Sequence, residues 1–279
     1  MAENGFSLIF LCGLFTVGVS ASFGQTVSES AGQAGKTRDK LGESMLFNVG
    51  PGKFEPARSD PPSEKYPWHS QIVTTVFWVG ETPTGNNPVP NHASAWDSNW
   101  ARNFGGSDRP EPSARKGFIP ARFVPRQNPF YIALPFNDVS GGRTKPQSSK
   151  VIPWFQETFE KSGQTVLKGR WVAIRKGNRI CYAQWEDVGP FRSDHWEYVF
   201  GSDRPRRNLN QGAGLDVSPG VRDFLGLGST DVTDWRFVDF QEIPSGPWAL
   251  YGDNNTFVIE RRKQEQSFAK EQSDAIRSD

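Results

Sequence analysis

The sequence predicts an all-β fold: a small barrel with long loop insertions and one short helix. Three observations predict it. Runs rich in β-branched and aromatic residues recur between Gly and Pro stops. Only one segment carries a clear helix start, and it follows a short strand instead of alternating with strands as in a parallel α/β chain. The composition, with 28 Gly, 21 Pro and 10 Trp in 279 residues, suits a turn-rich β protein with many rings to place.

The elements follow in order. IVTTVFWVG (72–80) is a strand closed by Gly80. The polar stretch 91–117, with Trp96 and Trp100, predicts a structured loop with one helical turn. NPFYIALPFND (128–138) is a second strand, limited by Pro135, and a Gly/Ser/Lys loop follows it. RWVAIRKGNRICYAQW predicts a hairpin with arms 170–175 and 179–185 about a turn at 176–178. Period-two alternation puts Cys181, Ala183, Trp185 and Asp187 on one face, and Tyr182, Gln184 and Glu186 on the other.

LDV (215–217) is a short strand, and the helix opens directly after it. Ser218 is its N-cap, Pro219 fits the first helical position, and Gly226 or Gly228 ends it behind the apolar Val221, Phe224 and Leu225. Residues 234–243 alternate as a final long strand, and NTFVIE predicts one more short strand. The charged segment 261–279 predicts a tail, frayed or helical on the surface.

The N-terminus reads differently. Residues 6–21 are apolar and uncharged and end in the small residues Val19-Ser20-Ala21, which predicts a secretory signal peptide over 1–21. The run is short for a membrane span, which needs about 20 apolar residues. Residues 22–65, rich in Ser, Gly, Glu, Lys and Pro, predict a flexible linker, and 66–260 the barrel domain. The expected location is periplasmic or extracellular, with no membrane span once the signal is removed. Cys181 is then the only cysteine left, so the barrel rests on apolar packing without an internal disulfide. Lying between Ile180 and Tyr182, it predicts a buried, inert thiol.

Net charge is +1 and no basic block occurs in the body, so a nucleic-acid partner has no electrostatic support. His69, His92 and His195 are scattered without metal-ligand spacing, and GGRTK lacks the glycine spacing of a phosphate loop. No metal or cofactor is implied. The chemistry points instead to AQWEDVGP, where a strand carries Glu186 and Asp187 to its end and stops at Gly189-Pro190.

AQWEDVGPF, GAGLDVSPGVRDFLGL and TDWRFVDF, taken in this order, resemble the rare-lipoprotein-A-like double-psi β-barrel family. VFWVG and IALPF are similar to that family's first strand and its Leu-Pro-Phe segment. Expansins, family 45 endoglucanases and MltA-type lytic transglycosylases share the barrel. The resemblance covers about residues 74–240 and implies a six-stranded double-psi barrel. It also implies a catalytic carboxylic acid at Asp216 and an assisting carboxylate at Asp187, facing a groove at the barrel rim. Three features differ from the family pattern. Ile132 and Ala133 stand near the position of a family His, Val188 replaces a turn Arg, and the loop 192–214 is longer.

Cleaving a glycosidic bond needs a proton delivered to a poor leaving group, so the acid must stay protonated near neutral pH. A neighbouring carboxylate and partial burial both raise a carboxyl pKa. The resemblance therefore implies a lytic transglycosylase-like or glycosidase-like activity on peptidoglycan or another polysaccharide. Asp138, Asp97 and Glu186 are candidates for activating water. Trp96, Trp100, Trp196 and Tyr198 are candidates for stacking on a sugar ring. The same residues fit a non-catalytic glycan-binding or structural envelope module. In that reading the aspartates shape turns and caps.

Overall fold

The structure, a computed structural model, describes residues 65–278 except Asn86. The expected signal peptide and all of the expected linker before Lys65 lie outside the described residues. Six strands close a mixed barrel: β1 His69–Val76, β2 Tyr131–Leu134, β3 Trp171–Lys176, β4 Arg179–Val188, β5 Leu215–Val217 and β6 Thr230–Phe237. Around the barrel the order is β1-β6-β3-β4-β2-β5, and β5 returns to β1. Two of the six pairings are parallel, β1 with β5 and β2 with β4, and the other four are antiparallel. This pairing is compatible with a double-psi barrel.

The β3–β4 hairpin turns on Gly177, at φ +58, and Asn178. A left-handed φ there is open to glycine at no steric cost. One face of each strand fills the barrel with Ile72, Ile132, Leu134, Val172, Ile174, Cys181, Ala183, Trp185, Leu215, Val217 and Trp235. Cys181 is fully buried and burial pushes its thiol well up, which keeps it inert. The indole of Trp185 stacks on Phe237 with ring centres 6.0 Å apart, and Trp235 meets the same ring edge-on at 5.2 Å.

Among the described residues, six α-helices decorate the barrel: α1 Trp100–Phe104, α2 Ser148–Val151, α3 Phe155–Thr158, α4 Trp196–Val199, α5 Pro219–Leu225 and α6 Thr256–Ser278. The sequence foresees α5, and its chemistry is the reason. Ser218 Oγ accepts the Val221 N–H at 3.3 Å, Pro219 opens the helix and Gly226 closes it at φ +70. Helices α1 to α4 are single turns inside the loop insertions. NTFVIE is not a strand: it is the first turn of the 23-residue helix α6. Asn255 Oδ1 accepts the Phe257 N–H at 3.1 Å there, and good helix formers such as Glu, Arg, Lys and Gln follow.

The outer face of β2 is also covered. Phe77, Val79, Trp100, Phe104, Tyr131 and Ala133 form a second apolar cluster under the long β1–β2 connection. Below it, Asp108 is buried and bonded to Arg115 at 2.6 Å and to the Tyr131 hydroxyl at 3.0 Å, while Arg115 also reaches Asp223 on α5. The connection is thereby tied both to the barrel wall and to the helix. This fixes where its residues stand over the ends of β2, β4 and β5. Replacing Trp185 by Ala should cost about 3–5 kcal/mol, the usual loss for a fully buried large ring. Urea unfolding of the variant would check it, with the transition midpoint lowered and the slope unchanged.

Candidate active site

Strand β2 runs between β4 and β5. Its Ala133 stands opposite Asp187 on one side and opposite Asp216 on the other, and Asp216 in turn stands opposite Thr75 of β1. Directly opposed residues project to the same face of a sheet. Asp187, Ala133, Asp216 and Thr75 thus form one row across four strands, on the outer face of the barrel. Two interstrand spacings separate the backbones of the aspartates, about 10 Å. Ala133, with its short side chain, stands between them.

Each carboxylate is held by its surroundings. Thr75 Oγ1 donates to Asp216 Oδ1. Asp187 Oδ1 accepts the backbone N–H groups of Ala95, at 2.8 Å, and Val188, at 2.7 Å. The Gly189 backbone passes close by, and a β-carbon added there would stand 3.6 Å from Asp216 Oδ2. Burial pushes the Asp216 carboxyl up to about 7, the charges of Glu81 and Asp187 add to the rise, and the Thr75 hydroxyl opposes it. Part of Asp216 still reaches solvent. Burial also raises Asp187 to about 6, against the two backbone donors.

Simple alternation fails at the end of β4. Ile132 pairs with Trp185, whereas the next residue, Ala133, pairs with Asp187, so Glu186 is an extra residue in the strand. This bulge sends Trp185 into the core and Asp187 to the outer face, not to the shared face that alternation predicts. Glu186 also projects outward, because it and Gln184 both bond Asn254. Trp185 Nε1–H seals the bulge by donating to the Asp187 carbonyl at 2.7 Å. Glu186 is buried, which pushes its carboxyl up to about 7, with Lys168 and Asn254 acting against the rise.

The other predicted residues divide. Trp96 is half-buried beside this face, its indole N–H on Asn137 Oδ1 at 3.1 Å and its ring edge-on to Trp185. Trp100 is buried in the second apolar cluster and presents no ring face to a ligand. Tyr198 is likewise buried, its hydroxyl accepting the Trp235 indole N–H at 2.7 Å. Trp196 is half-buried against the main core. Asp138 is buried, and its two oxygens hold the Thr165 hydroxyl at 2.6 Å and the Val166 N–H at 2.8 Å, a loop-fastening arrangement. In the loop 192–214, Arg204 fastens the chain to the Ser70 and Gln71 carbonyls.

Glu81 escaped the sequence reading. It is buried just past Gly80, bonded by Asn91 Nδ2 at 2.8 Å, its carboxyl raised by burial, and it adds its charge to Asp216. The one sign in the sequence was its position, a carboxylate immediately after the glycine that closes the strand. Among the described residues, no group of three or more His, Cys, Asp or Glu side chains is arranged to hold a metal ion. No helix among them is long and apolar enough to cross a membrane. No family model matches the chain, and no curated protein matches it.

Raised carboxyl pKa values mean that the folded chain holds protons which the unfolded chain has released. Asp216 and Glu186 titrate near 7, and ordinary carboxyls near 4. Their stabilising contribution is therefore complete below about pH 4 and is lost as pH rises through about 7. His69, lowered to about 4 by burial, opposes this trend below about pH 6.5. Calorimetry should show the melting temperature falling as pH rises from about 5 towards about 7 and levelling off above that, with a shallower fall in Asp216→Asn.

Proposed function

We propose that this chain is an exported cell-envelope protein of the rare-lipoprotein-A-like double-psi barrel type. Its activity is that of a lytic transglycosylase on peptidoglycan, with Asp216 as general acid and base. The reading rests on one observation: a partly exposed aspartate whose carboxyl is pushed up to about 7 between two further carboxylates. An acid that is half protonated near neutral pH can both give and take a proton there. Asp216 donates its proton to the leaving glycosidic oxygen as the C1–O bond breaks. The resulting carboxylate takes the proton of the same sugar's C6 hydroxyl as that oxygen bonds to C1 and closes a 1,6-anhydro ring. Asp187 and Glu81, when ionised, keep the Asp216 proton in place and favour positive charge at C1 in the transition state.

A second reading is a barrel that binds glycan without cutting it. The positions near the family's His favour it, since Ile132 is core and Ala133 is the spacer between the aspartates. One experiment separates the two: incubation of the chain with purified peptidoglycan, with mass spectrometry of the soluble products. Anhydro-sugar products should appear, and Asp216→Asn should lower their rate by about 10²–10⁴-fold. Reducing-end products would indicate a hydrolase. Absence of products, with the chain co-sedimenting with the insoluble glycan, would leave the binding reading.

A further inference from the structure

The chain leaves β4 through Gly189 and Pro190, and the next residue holds an unusual conformation. The Arg192 N–H donates to the Pro190 carbonyl at 2.7 Å and closes a three-residue turn on Phe191, whose φ is +59. A turn of this kind with a positive central φ is rare and strained. It suits glycine and is costly for a bulky side chain. Among the described residues, only two other non-glycine residues have a left-handed φ, Gln71 and Gln211, and both are polar. Hydrogen bonds hold Gln71 there: its N–H donates to Asp234 Oδ1 at 2.9 Å and its carbonyl accepts from Arg204.

The phenyl ring of Phe191 gains nothing comparable. Phe191 is 43% exposed, belongs to neither apolar cluster, and stacks on no other ring among the described residues. A single exposed apolar residue is ordinary. An exposed ring on a strained backbone is not, because burial does not offset the strain, and strain of this kind collects at functional sites. The turn is also clamped on both sides. Before it, the Gly189 N–H donates to the Leu134 carbonyl at 3.1 Å; after it, the Asn137 N–H donates to the Ser193 carbonyl at 3.0 Å and the His195 N–H to the Pro135 carbonyl at 2.9 Å.

The clamp sets Phe191 beside the aspartates. The missing side chain of Gly189 leaves open a point 3.6 Å from Asp216 Oδ2, 3.9 Å from the Ala133 methyl and 3.9 Å from the Phe191 backbone nitrogen. Asn137 ties the same turn to the Asp187 end of the row. Its Oδ1 accepts the Trp96 indole N–H at 3.1 Å, and the neighbouring Ala95 N–H is the one that donates to Asp187.

We propose that Phe191 is an aromatic platform of the glycan site, on which the apolar face of a pyranose stacks in the unit next to the one cut at Asp216. The proposal rests on the glycan reading above. A pyranose carries C–H bonds on its faces and hydroxyls around its edge, so a ring with no polar group of its own receives a face. The clamped turn holds the platform in place before the sugar arrives, which leaves less ordering for binding to supply.

The test is calorimetric titration of the full chain with chitohexaose, together with the melting temperature of each variant. Phe191→Gly should raise the Kd about tenfold or more while the melting temperature holds or rises, because the ring is lost and the strain with it. Phe191→Trp should keep the Kd within about threefold of the unaltered chain. Gln211→Gly, which relieves a left-handed φ elsewhere in the same loop, should leave the Kd unchanged. If Phe191→Gly binds as tightly as the unaltered chain, the platform is refuted and the glycan reading stands. If its melting temperature falls along with its affinity, or if Gln211→Gly weakens binding as much, the loop and not the ring is responsible and the platform is refuted likewise. A chain that cuts peptidoglycan yet does not bind chitohexaose overturns the platform alone. One that does neither overturns the glycan reading and this inference with it.

Discussion

Everything at the candidate site depends on one extra residue in one strand. The β4 bulge at Glu186 lets two consecutive carboxylates, Glu186 and Asp187, leave the barrel on the same side while Trp185 fills its interior. A regular strand would have to choose, burying either the indole or the aspartate correctly but not both. The indole N–H on the Asp187 carbonyl ties the two halves of this arrangement together. A buried indole in the barrel thereby sets the position of an acid on its surface. Ala133 then completes the geometry from the neighbouring strand, because anything larger would fill the space between the aspartates.

Electrostatically, the site is a group of acids without an adjacent base. Burial raises Asp216, Asp187 and Glu81 alike, the charges of Glu81 and Asp187 raise Asp216 further, and the opposing contributions come from Thr75, two backbone N–H groups and Asn91. By contrast, the buried Asp108 meets Arg115 face to face and serves as a fastening. The same side-chain type does structural work where both of its oxygens are committed, as Arg115 and Tyr131 commit those of Asp108, whereas Asp216 and Asp187 are each held through Oδ1. Asp138 belongs with Asp108, since both of its oxygens are committed to the loop at residues 165–166.

Much of the scaffold was legible in the sequence because local chemistry set it. The hairpin turn, the Ser218-Pro219 helix start, its Gly226 end and the short strand carrying Asp216 all follow from residues within a few positions. A groove shared by Asp187 and Asp216 was expected only through a resemblance, and Ala133 between them was not foreseen, since both depend on which strands become neighbours. The bulge left no local sign, because one extra residue in a ten-residue strand looks like any other alternation. Trp100 and Tyr198 sit among polar residues in the chain, and their burial comes from a loop folding back over the barrel. The apolar pair Trp100 and Phe104, spaced as on one helix face, was the clue to that burial. NTFVIE misled because a short apolar run has no period of its own, and Asn255 and the charged residues after it settled the matter.

The barrel also orders its own assembly in time. Among the described residues, the first strand of the barrel, His69–Val76, pairs with Leu215–Val217 and Thr230–Phe237, the last two strands of the sheet. A chain emerging from the ribosome therefore carries an unmatched edge until residue 237 has followed it. The two aspartates come within reach of each other only when that late closure brings β5 against β1 and β2. Such long-range pairing is slow relative to local pairing, and it cannot begin before the last strand is made. The edge of the first strand thus stays open until the last strand has been made.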